Sequence, residues 1–329
     1  MLGYFLLPIL GIALIAGIVN NDDDDPVTPE PPEPPEPNPT NAIIGTDGID
    51  VLNGTGRADL MEGRGGNDIL RGFGNDDTIE GGTGNDLVIG DGGDDVLFGN
   101  AGLDEIRGGP GDDNITGGNQ GDLLIGDGGA DEIRGGRGAD IIEGGSGPDF
   151  LVGNQDNDFI EAGFGSDTII AGEDDDEIVG FQERSDPDQP IGDLNPDILD
   201  AGNGDDTISA NYFDTVTSGD GEDLIRAIFD AGQTDTAIVV TDFDPEEDTL
   251  VIVIDGETPI DGDEDDGDAV DPDEVIVRPA SNGTDTEVVL NGVLAAVLQN
   301  TDAAALDADK SWLANFEVPE TPAAAAPSS

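Results

Sequence analysis

The sequence has no cysteine and no histidine among its 329 residues, and only 4% of them are aromatic. Disulfides, zinc sites built from Cys or His, and catalytic arrangements that need a histidine base are therefore excluded. This removes the H-E-x-x-H zinc proteases and the Ser-His-Asp and Cys-His hydrolases from consideration. With so few aromatic side chains, the chain also lacks the residues that usually fill a large hydrophobic core.

Positively charged residues are scarce, because 10 Lys and Arg residues stand against 76 Asp and Glu residues and the net charge is −66. A chain of this charge repels nucleic acid and anionic membrane surfaces and attracts cations. We therefore expect no nucleic-acid partner, and we expect metal ions among the partners.

The most informative stretch is residues 45–179, where a nine-residue unit, G-x-x-x-x-D-x-(aliphatic)-x, repeats fifteen times in register, with Ala in the first place of the last two units. Two residues after each aspartate comes an aliphatic residue or Met, such as Leu52, Ile106 or Ile178. A period of this length is typical of a solenoid, in which each unit stacks on its neighbours to bury its apolar side chain. The sixth place of the units is occupied by Asp50, Asp59, Asp68, Asp77, Asp86, Asp95, Asp104, Asp113, Asp122, Asp131, Asp140, Asp149, Asp158, Asp167 and Asp176.

Each unit predicts a turn followed by a short strand. Its first half is rich in glycine, which reaches positive φ without steric cost. Its second half is a three-residue strand with one side chain turned inward. Two units per coil place the strands on two parallel sheets that enclose the aliphatic row. We therefore predict an all-β fold with two parallel sheets of short strands.

Stacking of the coils also places the aspartates in rows. At a spacing of about 5 Å and an effective dielectric constant near 20, neighbouring carboxylates repel by about 3 kcal/mol, so a cation is needed along each row. Carboxylate and carbonyl oxygens in flexible turns suit multiple Ca²⁺ ions better than Zn²⁺ or Mg²⁺. The alternative is that each Asp caps its own turn through a local hydrogen bond.

The repeat resembles the G-G-x-G-x-D-x-U-x nonapeptide of RTX (haemolysin-type) calcium-binding proteins. Units 81–89 and 135–143 match it throughout, whereas the turn 54–57 lacks the fourth glycine and the turn 153–156 lacks the second and fourth. The resemblance implies a parallel β-roll in which the aspartates of repeats n and n+2 share one Ca²⁺ with turn carbonyls, as Asp68 would with Asp86. It also implies a secreted, extracellular protein exported by type I secretion through a C-terminal signal.

The register ends at Val179, and the rest of the chain predicts four further segments. Residues 180–191 are a loop, and residues 192–226 contain four poorer repeats in which the roll resumes. Residues 227–300 predict a small β-rich capping domain with strands at 236–241 and 249–254 and a hairpin of 286–290 with 293–298. Residues 301–329 predict a short helix and a disordered tail. The poorer repeats add the candidate metal ligands Asp197, Asp206, Asp214 and Asp223.

The first forty residues predict a segment outside the roll. Within residues 1–19, the uncharged run 2–19 is just long enough to span a bilayer. It is interpreted as a membrane anchor, as an export signal or as a buried strand, and it lacks the leading basic residue and the A-x-A site of an ordinary signal peptide. Residues 20–40 predict an acidic, proline-rich polyproline II linker.

Together these features predict a non-catalytic extracellular protein that binds calcium and folds when calcium binds. An alternative is a cell-surface adhesin or structural protein that uses one apolar sheet for self-association or for a surface partner. That sheet could instead pack on the C-terminal β domain, or reflect strand propensity alone. An ice-binding roll or an enzyme accessory module is disfavoured, since regular Thr and Asn rows and catalytic motifs are lacking. The apolar seventh-place residues of the odd-numbered repeats are Val51, Ile69, Leu87, Leu123, Ile141 and Phe159.

Overall fold

Each coil of the structure consists of two consecutive repeats, and the coils stack into two parallel sheets. The computed structural model describes residues 42–181, 195–230, 237–255, 275–290 and 293–301, together with Ala303 and Leu306. Strands from alternate repeats enter the same sheet, and a strand pairs in parallel with the one 18 residues further on, as Leu60 does with Thr78. The predicted all-β parallel roll is confirmed.

The two sheets differ in length. Over the described residues, sheet A has 14 strands, which in spatial order are β1 (Ala42–Ile44), β3 (Leu60–Gly65), β5 (Thr78–Thr83), β7 (Val96–Ala101), β9 (Asn114–Asn119), β11 (Glu132–Arg137), β13 (Phe150–Gln155), β15 (Thr168–Glu173), β17 (Ile198–Asn203), β19 (Thr215–Asp220), β21 (Ile238–Val240), β25 (Val293–Leu298), β24 (Thr286–Leu290) and β23 (Val275–Pro279). Sheet B has 11, namely β2 (Val51–Asn53), β4 (Ile69–Gly74), β6 (Leu87–Gly92), β8 (Glu105–Pro110), β10 (Leu123–Gly128), β12 (Ile141–Ser146), β14 (Phe159–Phe164), β16 (Glu177–Val179), β18 (Thr207–Ala210), β20 (Leu224–Asp230) and β22 (Thr249–Asp255).

Most strands of the roll are six residues long, twice the predicted length. The pairing of β5 with β7 starts at Thr78 with Val96 and continues to Thr83 with Ala101. Successive turns share one conformation, so their first residues stack in register and extend the ladder of hydrogen bonds beyond the three predicted positions. The roll is therefore paired along most of its contour, turns included.

One row of aliphatic side chains fills the space between the sheets. From Met61 onwards the eighth-place residues are completely buried and belong to a single continuous cluster. Leu52 is only partly buried because it lies in β2, the first strand of sheet B. The predicted inward row is thus confirmed for Met61, Leu70, Ile79, Val88, Leu97, Ile106, Ile115, Leu124, Ile133, Ile142, Leu151, Ile160, Ile169 and Ile178.

The roll continues in the poorer repeats. β17 pairs in parallel with β15, and β18 pairs in parallel with β16. The inward residues Leu199, Ile208, Val216 and Ile225 are completely buried and join the same core. Residues 182–194, which contain most of the predicted loop, lie outside the described part of the chain.

The C-terminal strands lengthen both sheets. β21 and β22 add one strand each to sheets A and B, and sheet A then ends in β25, β24 and β23, which pair antiparallel with one another. Four of these strands lie where the sequence predicts them, whereas β23 was not predicted. The five strands extend the sheets along the roll.

Several predictions fall on residues that the structure does not describe. They concern the segments 1–19 and 20–40, the turn of the predicted hairpin at 291–292, and most of the helix and tail predicted for residues 301–329. Within the described ranges, no helix is long and apolar enough to cross a membrane.

Candidate metal sites

The sixth-place aspartates point into the stack of turns rather than into solvent. From Asp68 to Asp223 each of them is at most 3% exposed, whereas Asp50 is half-buried and Asp59 is 6% exposed. A buried carboxylate is strongly unfavourable unless hydrogen bonds, a proton or a cation compensate for its lost hydration. The partners of each carboxylate oxygen therefore decide what the site does.

From Asp68 onwards, one carboxylate oxygen of each aspartate is held by the preceding coil. The backbone amide of Asp86 donates to Oδ1 of Asp104 at 2.8 Å, and the amide of Asp104 donates to Oδ1 of Asp122 at 2.8 Å. The backbone carbonyl of each aspartate is used as well, since Glu105 N donates to Asp86 O at 2.9 Å. This pattern fixes the aspartates in two continuous rows, one for each sheet.

We call these rows ladder A and ladder B after the sheets that their turns precede. Each step in both ladders is an amide-to-Oδ1 hydrogen bond, and neighbours in a ladder are the aspartates of repeats n and n+2. Ladder A consists of Asp59, Asp77, Asp95, Asp113, Asp131, Asp149, Asp167, Asp197 and Asp214. Ladder B consists of Asp50, Asp68, Asp86, Asp104, Asp122, Asp140, Asp158, Asp176, Asp206, Asp223 and Asp248.

The second carboxylate oxygen, Oδ2, is buried and receives no hydrogen bond from the described residues in most of the interior positions. A buried acceptor without a donor costs the full free energy of its desolvation, because water has been removed and no other donor replaces it. A cation at Oδ2 would remove this cost. The positions are Asp68, Asp77, Asp86, Asp95, Asp104, Asp113, Asp122, Asp131, Asp140, Asp149, Asp158, Asp176, Asp206 and Asp223.

A main-chain carbonyl of the next coil faces the same point as Oδ2. A methyl group placed on Gly90 would lie 2.2 Å from Oδ2 of Asp95 and 2.7 Å from the carbonyl oxygen of Gly108. The described residues contain no group of three or more Asp, Glu, His or Cys side chains placed to hold a metal, so any bound ion needs carbonyl ligands. Carboxylate plus carbonyl oxygens form the donor set that Ca²⁺ prefers, and the site fits that ion.

The turns reach this geometry through residues with positive φ at their second and fourth places. In the turn 81–86, Gly82 has φ = 117° and Gly84 has φ = 116°. Asp91 and Asn100 occupy the second place of their turns with φ = 73° and φ = 76°. Glycine adopts this region at no steric cost, and Asn and Asp tolerate it best among the other residues.

Burial raises the pKa of many of the interior aspartates above the ordinary value. Burial raises the pKa of Asp158 to about 8, the amide of Asp140 opposes the shift, and the negative charges of Asp140 and Asp176 add to it. Burial likewise raises the pKa of Asp113 to about 7, against the hydrogen bond from the amide of Asp95. Without a cation these carboxyl groups would therefore hold protons near neutral pH, so a metal ion competes with protons for Oδ2.

All of the aspartates predicted as ligands lie on one of the two ladders, but three of them differ at Oδ2. In Asp50, Asp59 and Asp214 this oxygen accepts a backbone amide of the same turn. Asp248 belongs to ladder B and was not among the predicted ligands, although Asp248-Thr249-Leu250 keeps the D-x-aliphatic signal of the repeat. Its Oδ2 accepts the amide of Asp244 at 2.7 Å.

The comparison with protein families agrees with this geometry. The family model of the RTX calcium-binding nonapeptide repeat matches residues 44–72, 71–106, 89–124, 99–133, 107–142, 116–151, 152–180 and 191–212. A search of the curated proteins finds no match. The matched segments span the turns that carry most of both aspartate ladders, and the chain carries RTX calcium-binding nonapeptide repeats in multiple copies across residues 44–212.

Proposed function

We propose that this calcium-binding repeat protein is secreted, that its roll folds when several Ca²⁺ ions occupy the aspartate ladders, and that it is not an enzyme. The observation that carries the proposal is the buried Oδ2 of fourteen interior aspartates, such as Asp95 and Asp104, which has no hydrogen-bond donor among the described residues. The family match supports calcium as the ion. The secreted location is proposed because proteins with these repeats are typically exported.

The residues proposed to hold the ions are the interior aspartates together with the carbonyls of their turns. In the turn that ends at Asp95, the ligands would include Oδ2 of Asp95 and the carbonyl oxygen of Gly108. Consecutive positions along each ladder repeat this arrangement. When bound, calcium supplies positive charge between stacked carboxylates and has no catalytic step to perform.

Calcium binding is coupled to folding because the carboxylates repel one another more strongly in the folded roll than in the unfolded chain. The unfolded chain can keep its carboxylates apart in water, whereas the folded roll stacks them at every coil. An ion that binds only the folded state stabilises it in proportion to its concentration. Extracellular calcium-binding modules commonly have dissociation constants of about 10⁻⁴–10⁻³ M. The proposed chain therefore stays open in a calcium-poor cell and folds outside it.

A calcium titration of the full chain tests this proposal. Far-ultraviolet circular dichroism should report a gain of β structure as calcium rises, and sedimentation should report compaction in the same range. Magnesium at equal concentration is the matched control, because the turns cannot offer it rigid octahedral geometry. An equally strong β signal in the presence of a chelator would reject folding on calcium.

The non-catalytic part of the proposal rests on the side chains available. No His or Cys is present to act as base, nucleophile or zinc ligand. The ladder carboxylates are buried between stacked turns rather than arranged around a cleft. Assay of the calcium-loaded chain against ester, peptide and glycoside substrates tests this part, and turnover that an interior Asp→Asn variant abolishes would reject it.

A second candidate function, assembly through sheet B, is favoured by one surface. Val51, Ile69 and Ile141 are 64%, 43% and 46% exposed on the outer face of this sheet. A shallow groove of about 570 Å³ runs beside Ile69, Leu87, Leu103, Leu123 and Ile141 and is interrupted by Glu105. Exposed apolar side chains that share one face of a sheet can form a binding surface. It supports an adhesin or structural role in which sheet B self-associates or binds a surface partner.

Substitutions within the groove test this second function. The triple variant Leu87→Thr, Leu123→Thr and Ile141→Thr should weaken self-association, as measured by sedimentation in saturating calcium. Leu60→Thr on sheet A is the matched control, because Leu60 is 50% exposed on the opposite sheet. An unchanged association state in the triple variant would remove assembly through sheet B.

A further inference from the structure

We propose that both aspartate ladders are closed at their ends by hydrogen bonds instead of calcium, through Asp50 and Asp59 at the N-terminal end and Asp214 and Asp248 at the C-terminal end. The inference rests on the proposed function of the interior aspartates as calcium ligands. It limits the calcium sites to the interior of each ladder. It also makes the four terminal turns metal-independent caps.

The N-terminal caps use a threonine at the second place of the turn. Oδ2 of Asp50 accepts the backbone amide of Thr46 at 2.6 Å and its hydroxyl at 2.8 Å. Oδ2 of Asp59 accepts the amide of Thr55 at 2.6 Å and its hydroxyl at 2.9 Å. Both oxygens therefore have two donors within their own turn, and neither needs a cation for satisfaction.

The C-terminal caps reach the same result with other residues. Oδ2 of Asp214 accepts the amide of Asn211 at 2.7 Å. Oδ2 of Asp248 accepts the amide of Asp244 at 2.7 Å and lies 3.5 Å from the hydroxyl of Ser218. In each of the four caps the amide donor lies three or four residues before the aspartate. At both ends of each ladder, Oδ2 of the terminal aspartate therefore accepts a nearby backbone amide.

The N-terminal cap turns differ from interior turns in the backbone at the second and fourth places, and the second place carries the amide that caps the aspartate. In interior turns the second residue has positive φ, as in Arg64 (77°), Gly82 (117°) and Asp91 (73°). Thr46 and Thr55 have no such φ and donate their amides to the aspartate instead. Threonine is β-branched and strongly disfavours positive φ. At the two N-terminal caps, the side chain at this place therefore favours the closed turn.

The position of the caps agrees with what a shared ion requires. An interior aspartate has a turn on each side and can take part in two shared ions, whereas the aspartate at the end of a ladder has a neighbour on one side and can take part in one at most. In ladder A the coil beyond Asp214 places the buried, apolar Ile238 where the next aspartate would be, since Val239 pairs with Thr215. No carboxylate can share an ion with Asp214 on that side.

Counting bound calcium ions on the full chain tests the inference. The variant Asp50→Asn with Asp59→Asn, and the variant Asp214→Asn with Asp248→Asn, should bind as many ions as the wild type at saturation in equilibrium dialysis. The matched interior variant, Asp95→Asn with Asp104→Asn, changes one aspartate in each ladder and should bind fewer ions. Equal losses in terminal and interior variants would overturn the caps while leaving the calcium-binding function intact.

A gain-of-binding variant gives a second, independent readout. Thr46→Gly turns the sequence of the first turn into G-G-D-G-I-D, which matches the interior pattern. Freed to adopt positive φ, this turn should bind calcium and raise the ion count above that of the wild type. Thr83→Gly, at the third place of an interior turn, is the control and should leave the count unchanged. An unchanged count for Thr46→Gly would overturn the role of the threonine.

The two failures can be told apart. If the wild-type chain binds no calcium, the proposed function is wrong and the inference loses its premise. If the wild type binds calcium and only the terminal variants behave unexpectedly, the proposed function stands and the caps are wrong.

Discussion

Acid should close the roll in the absence of calcium. The perturbation is a fall in pH from 8 to 5 with a chelator present throughout. Most interior aspartates are buried with an Oδ2 that has no donor among the described residues, and a proton on that oxygen removes the buried negative charge as a cation would. Protonation and calcium binding are thus two ways to neutralise the same group.

The direction follows from the pKa of the folded state. Burial raises the pKa of Asp113 to about 7 and that of Asp158 to about 8, so these groups bind protons more tightly when folded than when unfolded. Stability from this source is fully present below the unfolded pKa near 4 and is lost as pH rises through about 6 to 8. For Asp113, which is 3% exposed, the difference between these limits is at most about 4 kcal/mol.

Circular dichroism and sedimentation, both measured in the presence of a chelator, test this prediction. At pH 8 the chain should be open, and at pH 5 it should gain β structure and sediment as a more compact particle. In calcium the same signals should vary little over this range. A β signal in chelator that is strongest at pH 8 and fades toward pH 5 would refute the account of the buried carboxylates.

A salt control separates the buried aspartates from the charge of the whole chain. Lowering pH also reduces the net charge of −66, and this alone favours compaction. At about 1 M salt the Debye length falls to about 3 Å, which screens exposed charges but not buried ones. High salt at pH 8 in chelator should therefore fail to close the roll. Closure by salt alone would assign the effect to surface repulsion.

Three further substitutions test the packing in saturating calcium. Ile115→Ala removes a completely buried core side chain and should cost about 2–5 kcal/mol in unfolding free energy, measured by thermal or urea unfolding. Gly84 has φ = 116°, and Gly84→Ala places a methyl group 1.9 Å from the carbonyl oxygen of Gly66, so this variant should disrupt the roll. Gly56→Ala is the control, because a methyl group there meets no atom within 4 Å and Gly56 has no positive φ, and it should leave the melting temperature nearly unchanged. Arg107→Gln removes an exposed ion pair with Asp127 and should change stability by less than about 1 kcal/mol; a larger loss would show that the pair is not merely a surface contact.

The two-sheet fold was predictable because the nine-residue period has one structural solution. A Gly-rich half and a D-x-aliphatic half can bury the aliphatic residue only by coiling, and Ile115 and Ile133, which lie 18 residues apart, are indeed neighbours in sheet A. The length of the strands was not predictable in this way. It depends on turns stacking with the same φ values from coil to coil, and residues as different as Arg64, Phe73 and Gly82 adopt them.

The ladders were predictable as rows, but the state of Oδ2 was not. The repeat spacing places Asp86 beside Asp104, but it does not determine which hydrogen-bond donor each carboxylate oxygen contacts. Asp248 escaped prediction because its turn, 242–248, no longer carries the glycines of the repeat. Only the D-x-aliphatic ending survived there, and that signal is short enough to be lost among so many aspartates.

The first two turns illustrate how a departure from the repeat carries information. Local capping of each aspartate was the alternative to calcium binding, and the hydrogen bonds from Thr46 to Asp50 and from Thr55 to Asp59 are caps of that kind. The two interpretations therefore apply to different turns of one chain. What separates them is the residue four places before the aspartate, since a β-branched side chain there resists the positive φ that leaves Oδ2 without a donor. A repeat that looks merely degenerate can thus mark where a row of metal sites has to stop.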